Sequence, residues 1–264
     1  MRKNHFFGKY YKFIGKDGFT IAYIQSHANE GDMLQVIMND GAHFIDDPSS
    51  FKINGQKVTI SIYQSGLEIV GEIELGELMP LSHKVMGPFT YLPMECRHAI
   101  YSMRHSLKGQ MVINGEAHSF DDGLGYIEGD SGTNFPEKYV WYNSVLNDVT
   151  VTMAIATIPL LGFINFIGLL CFIKTNDKEY RLCTYNFGKA KKITKEEIIL
   201  KKGKLRFILT VPELSGHDLK APVKGNMTRY IKENLNVPTS YKLMEGDKLI
   251  LERKDEISSL EFIW

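Results

Sequence analysis

Short runs of β-branched and aromatic residues, cut by Gly, Asn and Asp, recur along almost the whole chain. The clearest are 19–25, 33–38, 58–63, 67–75, 110–113, 139–143, 179–185, 205–211 and 248–252. They are strand-length, and their β-branched and aromatic composition is that of strands. Turn signals lie between many of them: Lys16-Asp17-Gly18, Asn39-Asp40-Gly41, Asn54-Gly55, Asn114-Gly115 and Glu245-Gly246-Asp247. Asn-Gly between apolar runs is a strong hairpin signal, because both residues tolerate the positive φ that a tight turn requires. Val112-Ile113-Asn114-Gly115-Glu116-Ala117 is the cleanest case. Many short strands at regular spacing predict an all-β sandwich or barrel.

Helix signals are scarce. Thr194 to Glu197 has the form of a capping box and predicts at most about two turns before Lys201-Lys202-Gly203 ends them. Residues 227–235 read either as a helix (Met227, Ile231, Leu235) or as an alternating strand. Residues 151–173 form a run of 23 without a charge, long enough to cross a bilayer as a helix. Pro159, Gly162, Asn165 and Gly168 interrupt it, and 151–158 are rich in β-branched residues. The pattern predicts two buried strands joined by a turn at 159–162.

Composition narrows the function classes. Lys plus Arg and Asp plus Glu both number 31, so no net field draws the chain to nucleic acid or to an anionic surface. The aromatic residues are not interleaved with a basic stripe, which argues against a nucleic-acid platform. Three scattered cysteines, Cys96, Cys171 and Cys183, suit reduced thiols in a cytoplasmic protein. No nucleotide-binding glycine loop, nucleophile elbow or zincin motif is present, and no cofactor is expected.

Chemistry concentrates in residues 123–144. From Tyr126 to Asp130 an extended chain places Tyr126, Glu128 and Asp130 on one face at roughly 7 Å intervals. A phenol and two carboxylates so placed can do acid–base work; they also suit a solvated strand end leading into a turn at 131–134. A second polar cluster holds Glu95, Cys96, His98, Ser102, Arg104 and His105. Cys96, His98 and His105 lack the paired spacing of a metal site, and no metal is expected.

In order, Tyr126, Glu128, Asp130, Gly132, Phe135, Pro136, Lys138 and Trp141 resemble the Tyr-x-Glu-Lys-Asn-Trp-Gly-x-x-Phe-Pro-x-x-Trp-x-Trp signature of the tocopherol cyclase-like family. That family's Lys-Asn-Trp is Gly129-Asp130-Ser131 here. Gly8-Lys9-Tyr10-Tyr11-Lys12 and the Leu219 to Gly225 passage resemble its opening and its approach to the closing strand. The resemblance implies two lipocalin-like antiparallel β-barrel or sandwich halves, expected at 1–137 and 138–264. It implies acid-initiated cyclisation or hydration of a double bond in a prenyl or other lipid-like molecule, collected by contact with a membrane surface. Glu128 would be the acid and Asp130 its partner, with Gly129 leaving room for a ligand beside them. Tyr126, Phe135 and Trp141 would line the site, with Glu95 (a reserve acid), His98 and His105 at its mouth. Ser131 in place of the motif's Trp favours the alternative, a non-catalytic carrier of an apolar molecule.

Overall fold

The computed structural model describes residues 4–160, 164–212, 214 and 216–264. These form twenty strands and three short 3₁₀ turns, with no α-helix among the described residues. The first ten strands are β1 (Phe6–Ile14), β2 (Thr20–Ala28), β3 (Gly31–Met38), β4 (Gly41–Ile45), β5 (Phe51–Asn54), β6 (Lys57–Gln64), β7 (Leu67–Leu75), β8 (Cys96–Ile113), β9 (Glu116–Ser119) and β10 (Gly123–Gly132). They make one antiparallel sheet in the order β4-β3-β2-β1-β10-β8-β7-β6-β5, with β9 added to β8.

The remaining ten are β11 (Tyr139–Val145), β12 (Val149–Leu160), β13 (Ile164–Thr175), β14 (Glu179–Arg181), β15 (Lys189–Ile193), β16 (Glu197–Lys202), β17 (Leu205–Thr210), β18 (His217–Val223), β19 (Asn226–Glu245) and β20 (Lys248–Ile263). Their order is β14-β13-β12-β11-β20-β19-β17-β16-β15, with β18 added to β19. The path of the first sheet is thus nearly repeated, although the sequence carries no visible repeat; the difference is that the added strand β9 follows β8, whereas β18 precedes β19.

The chain divides into two compact units. The first comprises Met1–Val85, Met94–Phe135 and Leu219–Tyr230, and the second comprises Met86–Pro93, Pro136–Asp218 and Ile231–Trp264. Each has its own apolar core, built from one face of its sheet. Phe13, Tyr23, Val36, Phe51, Ile69 and Met111 belong to the first. Val140, Tyr142, Met153, Leu200, Phe207 and Tyr241 belong to the second.

The turn chemistry works as the sequence predicts at Asn114-Gly115, where φ of 49° and 86° lets β8 turn directly into β9. The described part of 151–173 forms two strands, β12 and β13, paired from Val149↔Thr175 to Leu160↔Ile164. Among the described residues no helix is long and apolar enough to cross a membrane. Of the turn expected at 159–162, Pro159 and Leu160 belong to β12 instead, held by its pairing with β13, and 161–162 lie outside the described residues.

The short helix expected at Thr194 is a correction. The Glu197 N–H donates to Thr194 Oγ1 (3.1 Å), which closes a turn, and β16 follows with Ile198 and Leu200 fully buried. Burial at a period of two overrides a local capping pattern. The open reading at 227–235 settles as strand, within β19.

Candidate functional site

β10 is a central strand, flanked by β1 and β8, and it is buried on both faces. Its inner face carries Gly125, Ile127 and Gly129, and the glycines are there because their neighbours leave no room for a Cβ. At Gly125 a Cβ would stand 2.2 Å from His105 Nε2; at Gly129 it would meet the Gly8 carbonyl oxygen at 2.6 Å and the Tyr101 ring at 3.1 Å. Above Gly129 the Lys9 ammonium lies 4.9 Å from the centre of the Tyr101 ring.

The outer face carries Tyr126, Glu128 and Asp130. The Tyr126 hydroxyl donates to Glu128 Oε2 at 2.5 Å. From β8, His98 is the register partner of Asp130, and its ring stands between the two carboxylates. Nδ1 is hydrogen-bonded to Asp130 Oδ1 at 3.1 Å, and Nε2 is 3.5 Å from Glu128 Oε2, an ion-pair contact without hydrogen-bond geometry. Cys96 Sγ donates to Asp130 Oδ1 at 3.6 Å. Side-chain exposure is 6% for Glu128, 10% for His98 and 24% for Asp130, so the cluster opens toward Asp130.

Burial alone would pull the His98 imidazole down, but the charges of Glu128 and Asp130 and the Asp130 hydrogen bond outweigh it and carry it up to about 9. At neutral pH the site therefore holds an imidazolium between two carboxylates. Burial and the adjacent Asp130 push the Cys96 thiol well above its ordinary range, which leaves it a poor nucleophile.

His98, Glu128 and Asp130 offer ligand atoms within 4.8 Å of one another, a spacing that could serve a metal ion. The two ring nitrogens face different carboxylates. The chemistry the arrangement suits is proton transfer along Tyr126, Glu128, His98 and Asp130.

His105 is the register partner of Gly125, and Leu107, two residues on, is in the inner core; His105 is therefore on the inner face. Its Nδ1 is 3.0 Å from Ser102 Oγ, and burial lowers it to about 4, so it stays neutral. The Glu95 side chain is exposed, and its backbone carbonyl accepts from the Thr133 N–H at 2.8 Å. Phe135 packs edge-on against Phe6 with ring centres 5.4 Å apart, beside Ala28 and Met227. Trp141 belongs to the second unit, on β11, with Glu261 as its register partner on β20.

Sequence reasoning gave His98 only a place at the mouth, and it missed Lys12. Lys12 is fully buried and is the register partner of Tyr126 on β1. The available signal was its place in the Gly8 to Lys12 segment, where a lysine sits among residues of strand composition.

No protein-family model matches the sequence, and no curated protein matches it by sequence. Solved structures do match by fold. Kievitone hydratase from Nectria haematococca superposes with a TM-score of 0.55 at 10% identity, over 97% of this chain and 88% of that one. An AttH-like protein from Nitrosomonas europaea gives 0.55 at 8% identity, over 98% and 92%. CghA, solved with Sch210972, gives 0.63 at 6% identity, over 97% and 87%. Identities this low establish architecture alone: the chain has the two-sheet, lipocalin-like fold of these proteins, the fold group that its Tyr126 to Trp141 motif implied.

Proposed function

We propose that the protein is an acid–base enzyme of the hydratase or cyclase type, acting on a double bond of an apolar, prenyl-bearing small molecule. The observation that carries this reading is His98, a charged imidazole held between Glu128 and Asp130 in a nearly dry cluster. Such a cluster can give a proton to an alkene carbon and recover one from the incoming nucleophile, with no net change in its charge. His98 passes its Nε2 proton to Glu128, which delivers it to the alkene carbon and is left a carboxylate again, with the imidazole neutral. The proton adds to the less substituted carbon and leaves a tertiary cation. A phenol oxygen of the substrate, or a water, then bonds to the cation and returns its proton to the cluster. Cyclisation is thus an isomerisation, and hydration adds one water.

Tyr126 orients Glu128, and Asp130 holds the imidazolium. Low water access at Glu128 favours capture by the substrate's own oxygen, whereas water entering at the Asp130 end gives the alcohol. That kievitone hydratase shares the fold supports the hydration arm.

The test is incubation of 2-prenylphenol with the protein in D2O, with products analysed by mass spectrometry. A chroman or a tertiary alcohol carrying one carbon-bound deuterium is expected. Glu128→Gln keeps the shape but cannot deliver the proton, so turnover should fall about a hundredfold while binding persists. Absence of carbon-bound deuterium with prenylphenols and simple prenyl lipids alike would sink the proposal.

A further inference from the structure

The outer face of the second sheet carries a buried polar row opposite its apolar core. Trp141 and Asn143 on β11 stand in register with Glu261 and Ser259 on β20. Glu261 accepts the Tyr139 hydroxyl. Asn143 and Ser259 are each 0% exposed, and Asn143 Oδ1 and Ser259 Oγ have no hydrogen-bond partner among the described residues. The orientation of the Asn143 amide is determined by its surroundings. Its Nδ2 faces the Val151 carbonyl (3.5 Å) and Thr152 Oγ1 (3.2 Å), and a carbonyl can only accept, so Oδ1 is the atom left over.

A buried acceptor without a donor is costly and calls for an explanation. The β12 partners of Trp141 and Tyr139 are Ala154 and Ala156, small residues that are both partly exposed.

We infer that this face of the second unit is a binding site for a neutral, hydroxyl-bearing aromatic molecule. It enters over Ala154 and Ala156, lies against Trp141, and donates its O–H to Asn143 Oδ1. Ser259 Oγ, which can give or accept, serves a second polar atom of the ligand. Anions are disfavoured, because a carboxylate or phosphate anion has no hydrogen to offer the Asn143 oxygen. The inference is independent of the His98 cluster and of any reaction there.

The protein has two tryptophans, Trp141 and Trp264. In a Trp264→Phe background, Trp141 emission alone reports the site. The probe is 4-propylphenol, with 4-propylbenzoate and 4-propyltoluene as its anionic and hydroxyl-free counterparts. Saturable quenching by the phenol is expected at pH 7, with each counterpart at least about tenfold weaker, the usual worth of one buried hydrogen bond. Asn143→Leu should weaken the phenol by a similar factor and leave the toluene unchanged. Ser259→Ala provides a second, milder variant should Asn143→Leu fail to fold, and it should weaken 4-propylcatechol more than the phenol. Equal binding of phenol and benzoate, or phenol binding unaffected by both substitutions, overturns the assignment.

Discussion

His98 and His105 are seven positions apart on one strand and are driven in opposite directions. His98 is raised from 6.5 to about 9 despite its burial, because Glu128 and Asp130 face it. Its folded-state value lies above the unfolded one, so its stabilisation is fully present below pH 6.5 and is lost as pH rises through 9. The magnitude is on the order of 3 kcal/mol. His105 is lowered to about 4 by burial, so it binds protons more readily in the unfolded chain. Its contribution is present above pH 6.5 and is lost as pH falls through 4. Melting temperatures from pH 4 to 9 should therefore peak near pH 6.5. His98→Asn should flatten the limb above the peak and His105→Gln the limb below it. An alkaline slope unchanged in His98→Asn would mean that the imidazole is not held as an ion.

On the scale of the element, β10 shows how one strand serves two faces. Its outer positions carry the titratable groups, and its inner positions are small so that β1 and β8 can close over them. Gly129 illustrates the point: the space beside it, which the sequence suggests could take a ligand, is occupied by the Gly8 backbone and the Tyr101 ring. Gly129→Ala forces a methyl group against a backbone oxygen of β1, which cannot swing aside as a side chain could. The substitution should cost about 1–3 kcal/mol in urea unfolding, the usual penalty of overpacking. Gly66, in the turn after β6, has a φ of 80° but open space where a Cβ would stand, with nothing within 4 Å of it. Gly66→Ala therefore measures backbone strain without the clash. If Gly129→Ala is neutral, the tight approach of β1 to β10 is wrong.

For the whole molecule, two sheets of nearly the same strand order mean two separate apolar cores, each closed by strands distant in sequence. Ile60 is in the first and Leu200 in the second, at 1% and 0% exposure. Truncation of either to Ala should cost about 2–5 kcal/mol, from lost burial plus the cavity left behind. Because the two share no core neighbours, a double variant should cost the sum within about 0.5 kcal/mol in denaturant unfolding. A coupling well beyond that would show that the cores respond as one.

Local periodicity makes the strands, the Asn114-Gly115 hairpin and the pair of apolar strands in 151–173 legible, since side-chain alternation and turn dihedrals depend on near neighbours. The same period of two places Tyr126, Glu128 and Asp130 on one face without reference to any fold. Where a pattern is local but ambiguous, as at Thr194, burial of Ile198 and Leu200 decides for strand. The partner of the carboxylates is not legible. His98 is 32 residues from Asp130, and nothing in either segment specifies that β8 and β10 pair with those two opposite each other. The bulges near Ile127 shift the register by two along the same pair of strands and bring His105 opposite Gly125, on the inner face. Lys12 is hidden for the same reason: a lysine in an alternating segment looks solvated until β10 is laid against it. Which side chains lie along a strand is written in the chain, while which strands meet, and in what register, is settled by long-range pairing and the packing of two cores.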